Sequence, residues 1–239
     1  MLQTIDMVVR EIHVGLWFLV VGLYFFLFLF ILFFRWRRTR NPFQLAMSLF
    51  FLLLAVGRVF YFIADFYADS TSLYGDLPGF GISPLLTNGS WLLSAGAFFQ
   101  WSGLAVLSAT AAFMIFGNKL AELLFAIPAF LIAVVLAFVP MDSTTRMIVS
   151  GGAGIIYALF IPLLFWYLAY QSGGVLRRSN ALLGLGFLIM FAGQVISAGR
   201  HFLATVVFGS YTIPGILAPG LIVISLILIA VANEWGQTQ

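Results

Sequence analysis

Seven long apolar runs dominate the chain, and the first passes from residue 12 to residue 34 without one charged side chain. A bilayer's hydrocarbon core is about 30 Å thick and takes roughly 20 consecutive, mainly apolar residues as a helix. The runs at 12–34, 43–66, 91–116, 121–139, 147–170, 181–204 and 213–232 meet that requirement. They are continuous, whereas barrel strands are short and alternate in polarity. The 239 residues are 63% hydrophobic and 8% charged, against about a quarter charged in a soluble domain. Such a chain cannot cover itself with water-compatible surface. The expectation is an all-α integral membrane protein, a seven-transmembrane-helix bundle forming a single domain over 1–239. Its first partner is the lipid bilayer of a cell membrane, crossed in multiple passes.

The distribution of arginine and lysine predicts how such a bundle is oriented. Arg35, Arg37, Arg38 and Arg40 follow the first run, Lys119 follows the third, and Arg177 and Arg178 follow the fifth. All fall on one side of a seven-span chain. Arg10 and Arg146 fall on the other, among Asp6, Glu11, Asp65, Asp69, Asp76 and Asp142. Basic residues in short loops mark the cytoplasmic side, so the N-terminus is expected outside and the C-terminus inside. The same distribution accounts for the isoelectric point near 9.4 without nucleic acid as a partner. The first run is not read as a cleavable signal, because it lacks a basic leader and is too long.

The long connection, residues 67–90, is rich in Gly, Pro, Ser and Asp. It reads as an outer loop that is either a binding element or a surface strap. Asn88-Gly89-Ser90 fits a glycosylation sequon, and the same residues suit the N-terminal cap of the third helix. One internal similarity stands out. "RRTRN" precedes the second run, which contains "GRVF"; "RRSN" precedes the sixth, which contains "GRHF". A parallel three-plus-one-plus-three repeat would pair helices 1–3 with 5–7, as in some small-solute transporters. The spacing from each Asn to each Arg differs by nearly one turn, so chance similarity is the competing explanation. Small residues at helix contacts substitute for a hydrophobic drive in lipid. Gly96 and Gly103 are therefore expected to admit a neighbour to helix 3, and Ser150 and Gly154, with Gly184, Gly186 and Gly193, to bring helices 5 and 6 close or to let two copies pair through the exposed face of helix 5.

Against this apolar background, a guanidinium at Arg58 is costly, by about 2.5–3.5 kcal/mol at the centre of a helix. Tyr61 and Asp65 follow on the same helical face, and Asp65 leans back toward Arg58 because side chains tilt toward the helix N-terminus. Two turns separate the pair, so an intervening group is expected between them. Gln100 on helix 3 and Gln194, Arg200 and His201 on helix 6 complete a constellation in the outer half of the bundle. These residues are the candidate ligand-binding set; the alternative is an ion-pair network that only fixes helix register.

Several chemistries find no support. Without cysteine there is no disulfide, thiolate ligand or cysteine nucleophile. A retinal Schiff base needs a lysine in the seventh helix, and the chain's lysine is Lys119. Haem ligation by His13 and His201 would draw on two isolated boundary histidines, and zinc chemistry asks for three clustered ligands. No cofactor and no catalytic residue is expected. The leading expectation is a non-enzymatic, receptor-like protein with an outward-facing polar pocket for a small or anionic ligand, signalling through a partner protein or a second copy. The alternatives are a small-solute transporter of two three-helix halves and an accessory subunit of a membrane complex.

Overall fold

A computed structural model describes residues 2–68, 89–141, 143–199 and 212–235. The outer loop expected at 67–90 therefore lies almost wholly outside the described residues. Helix α1 covers Leu2–Phe30, widens into a π-helical stretch at Ile31–Trp36 and finishes in one α-helical turn, Arg37–Thr39. It is followed by α2 (Pro42–Tyr67), α3 (Gly89–Phe116), α4 (Lys119–Phe138), α5 (Ser143–Gln171), α6 (Gly174–Ala198) and α7 (Thr212–Trp235). Among the described residues these seven helices are long and apolar enough to cross a membrane. The chain is a multi-pass membrane protein.

Local chemistry explains where the helices break. Arg40 takes a left-handed backbone conformation, φ 53°, that ends α1. The Asn41 side chain then accepts from the Phe43 amide at 2.9 Å, with Pro42 as the first residue of α2. The same device recurs at Asn118, whose side chain accepts from the Leu120 amide, after Gly117 has turned the chain at φ 60°. Asn caps answer an orphan amide, and proline at the first helical position gives up nothing. α1 is longer than its apolar run: at 1.5 Å per residue it extends about 55 Å. Its first turns contain Gln3, Thr4, Asp6, Arg10 and Glu11, ahead of the apolar run.

The chain divides into two compact units, Met1–Met141 and Asp142–Gln239. In the first, α2 packs against α1 and α3, and α3 against α4. The α1–α2 pair is antiparallel. Tyr24 stacks with Phe51 at 6.3 Å, and the buried Ser48 hydroxyl donates to the Phe28 carbonyl. Between α2 and α3 the backbones nearly touch: a Cβ on Gly57 would stand 2.9 Å from the Gly96 carbonyl oxygen, and one on Gly96 would meet the Tyr61 ring at 3.0 Å. Gly103 faces Phe50 and Leu53 in the same seam. Ser108, fully buried, donates to the Phe125 carbonyl across the α3–α4 seam.

In the second unit α6 packs against α5 and α7. Gly186 and Gly193 seat Ile229, Ile222 and the Ala218 carbonyl, so the close approach is to α7. Ser179 ties the same seam by donating to the Ala232 carbonyl at 2.7 Å. On the α5 side, Gly184 receives Trp166 and the Pro162 carbonyl, and Phe165 stacks on Phe187 at 5.1 Å. Gly154 has no atom within 4 Å of an added Cβ. The Ser150–Gly154 pair is thus not where α5 meets α6, because bulky Trp166 and Phe165 make that contact instead.

Candidate functional site

The polar cluster of the first unit gathers at the ends of α1 and α2 away from their connecting turn. Arg58 projects from α2 over the indole of Trp17 on α1, its guanidinium carbon 3.1 Å from the ring centroid. The Tyr61 ring lies 5.8 Å away, one turn further along α2. A guanidinium over an indole face gains up to about 2 kcal/mol when water is excluded, which offsets much of the cost of placing it in lipid. Arg58 Nη2 stands 3.7 Å from Asp65 Oδ2, with side chains 12% and 4% exposed. The intervening group expected between them is not needed. The long arginine reaches outward along α2 while the carboxylate leans inward. At 3.7 Å the two are in charge contact, longer than the 2.7–2.9 Å of a tight charge-assisted hydrogen bond.

Trp17 connects this pair to the start of α1. Its indole N–H donates to His13 Nε2 at 2.9 Å, a buried bond between residues one turn apart. An Nε2 that accepts carries no proton, so the neutral imidazole holds its proton on Nδ1. His13 is itself buried and meets the Phe66 ring edge-on at 5.1 Å. One turn earlier, Arg10 is 7% exposed and pairs at 3.7 Å with the outward-facing Glu11. His13, Trp17, Arg58, Tyr61 and Asp65 thus form one group on two helices, with Arg10 one turn before His13 on α1.

Of the residues expected to line a site, Arg58, Tyr61 and Asp65 come together here. Gln100 lies on α3 behind Gly57, its backbone nitrogen 3.2 Å from where a Cβ would stand. Its backbone is thus part of the α2–α3 seam, directly against the residue that precedes Arg58. Gln194 is half-buried on α6, in the second unit. Arg200 and His201 lie outside the described residues. Sequence reading missed Trp17 and Arg10, although His13, Trp17 and Arg10 fall three or four residues apart on one face of a helix, a spacing that could have found them. Among the described residues no three His, Asp or Glu side chains gather as a metal site would require.

Chemically, the group offers a largely buried guanidinium in 3.7 Å charge contact with a buried carboxylate. It also offers an aromatic wall, Trp17 and Tyr61. No protein-family model, curated protein or solved structure matches the chain, so the reading of this site rests on its own geometry.

Proposed function

We propose that the protein is a non-enzymatic, receptor-like membrane protein that binds a small anion at Arg58 and relays occupancy to a partner. The observation that supports this most directly is the guanidinium held over Trp17 at 3.1 Å and in 3.7 Å charge contact with Asp65. Stacking orients the cation, and the loose pairing lets a carboxylate or phosphate exchange with Asp65. Released Asp65 then alters how Phe66 at the end of α2 sits against His13 on α1, which is the movement a partner reads. The orientation taken for this reading places the cluster outside, since Arg37, Arg38, Arg40, Lys119, Arg177 and Arg178 all fall at the opposite helix ends.

The test is a thermal-stability screen of the purified protein against acetate, succinate, sulfate and inorganic phosphate. Binding to the native state raises the midpoint by mass action. At least one probe should stabilise the parent and leave Arg58→Gln unmoved. If no probe shifts the parent, or the variant shifts equally, the anion reading is wrong.

One observation favours the transporter as a second reading. α2 is packed between α1 and α3, and α6 between α5 and α7, the same order twice, on the two helices that contain "GRVF" and "GRHF". Uptake of the stabilising probe into proteoliposomes, lost in Arg58→Gln, would favour transport over sensing.

A further inference from the structure

The arginine-rich end of α1 is built more elaborately than a topology signal requires. Arg37 lies over the Phe33 ring at 5.6 Å and Arg40 over the Trp36 ring at 5.0 Å. Both stacks join residues one turn apart, so the two guanidiniums stand on one ridge of the helix, with exposed Arg38 beside them. The left-handed Arg40 and the Asn41 cap fix the backbone there, and Thr39 donates to the Arg35 carbonyl at 3.0 Å. Arg37, Arg38 and Arg40 are all exposed, and no carboxylate pairs with them among the described residues. The chain from residue 12 to residue 64 contains no Asp or Glu at all. Phe33 and Phe34 continue the same surface as exposed apolar rings toward the hydrocarbon.

We infer that Arg37, Arg38 and Arg40 form a binding surface for the headgroup of an anionic phospholipid, with Phe33, Phe34 and Trp36 against its glycerol and acyl chains. Charge complementarity and depth point to this occupant. A helix that leaves the hydrocarbon at Phe34 brings its next turn to the phosphate layer, and the arginine fork matches phosphate oxygens in a bidentate way. Ring stacking holds two of the guanidiniums in place before the lipid arrives, so less side-chain freedom is lost on binding.

The inference is independent of the anion site at Arg58 and is tested without it. Full-length protein in mild detergent is offered equal amounts of phosphatidylglycerol and phosphatidylcholine, and retained lipid is counted by native mass spectrometry. The parent should keep phosphatidylglycerol in preference. Near-membrane arginines contribute about a fivefold effect each, so Arg37→Gln/Arg38→Gln/Arg40→Gln should lose most of the preference. Arg177→Gln/Arg178→Gln, basic residues near the start of α6, should keep it. Equal retention of both lipids by the parent, or an undiminished preference in the triple variant, overturns the inference. If the glutamine variant does not fold, Arg37→Lys/Arg38→Lys/Arg40→Lys preserves the charge and removes the stacked forks. It should hold the anionic lipid several-fold more weakly, and retention equal to the parent's overturns the site equally.

Discussion

At the residue scale, Arg58 shows how a membrane protein tolerates a cation by answering it from two helices. Removing one member of a buried pair strands the other and typically costs about 3–5 kcal/mol, so Arg58→Leu should lower stability by that order in reversible mixed-micelle unfolding. Arg58→Leu/Asp65→Asn should recover part of the loss, because the stranded charge is gone; strictly additive effects would show that the two do not interact. Trp17 separates two roles. Trp17→Phe keeps an aromatic face under the guanidinium and deletes the donor to His13, whereas Trp17→Leu deletes both, and should cost about 1 kcal/mol more. Equal losses would mean that the stack contributes nothing. The spacing of Arg58, Tyr61 and Asp65 was legible in the sequence because one helix supplies all three. Trp17 was not, since its role depends on the register of α1 against α2. Counting back equally from the Arg40–Asn41 turn sets Trp17 opposite Ala64, yet its ring lies under Arg58, which reaches along α2 toward Asp65.

At the scale of elements, long apolar runs made all seven helices legible, because lipid leaves the backbone no alternative to internal hydrogen bonding. What the runs could not show was which small residues face a neighbour. Gly96 and Gly103 do, and their place in the α2–α3 seam follows from Tyr61 and Phe50 needing somewhere to lie. Gly154 does not, because an open position and a seam position look alike in sequence. The difference is measurable. Gly57→Ala drives a methyl against the Gly96 carbonyl at 2.9 Å, backbone that cannot rotate away, and should destabilise by about 1–3 kcal/mol as overpacking does. It should also weaken binding of any stabilising anion, since α2 positions Arg58. Gly154→Ala meets open space and should be neutral or slightly stabilising. If Gly154→Ala proved as damaging as Gly57→Ala, the assignment of seams would be wrong.

At the scale of the whole molecule, the odd number of spans and the one-sided basic residues bear on the same quantity, the direction in which the chain enters the membrane. On the proposed orientation, Arg37, Arg38 and Arg40 at the end of α1, Lys119 at the start of α4, and Arg177 and Arg178 near the start of α6 resist translocation together. Each lies beside a short connection, so none has a long loop to hide in. The chain's lack of cysteine makes the direction directly measurable, because every introduced thiol is unique. Thr39→Cys, Asn118→Cys and Gly173→Cys lie at the α1–α2, α3–α4 and α5–α6 connections, and Pro140→Cys lies between α4 and α5; all four positions are exposed. With a membrane-impermeant maleimide on intact cells, Pro140→Cys should label, and the other three should label only after permeabilisation. The reverse pattern would place the Arg58 cluster on the inner face and turn an extracellular sensor into a cytoplasmic one. A mixed pattern among the first three would mean that one of the seven helices does not cross, and the antiparallel α1–α2 pairing that brings Trp17 to Arg58 would be the first contact to re-examine.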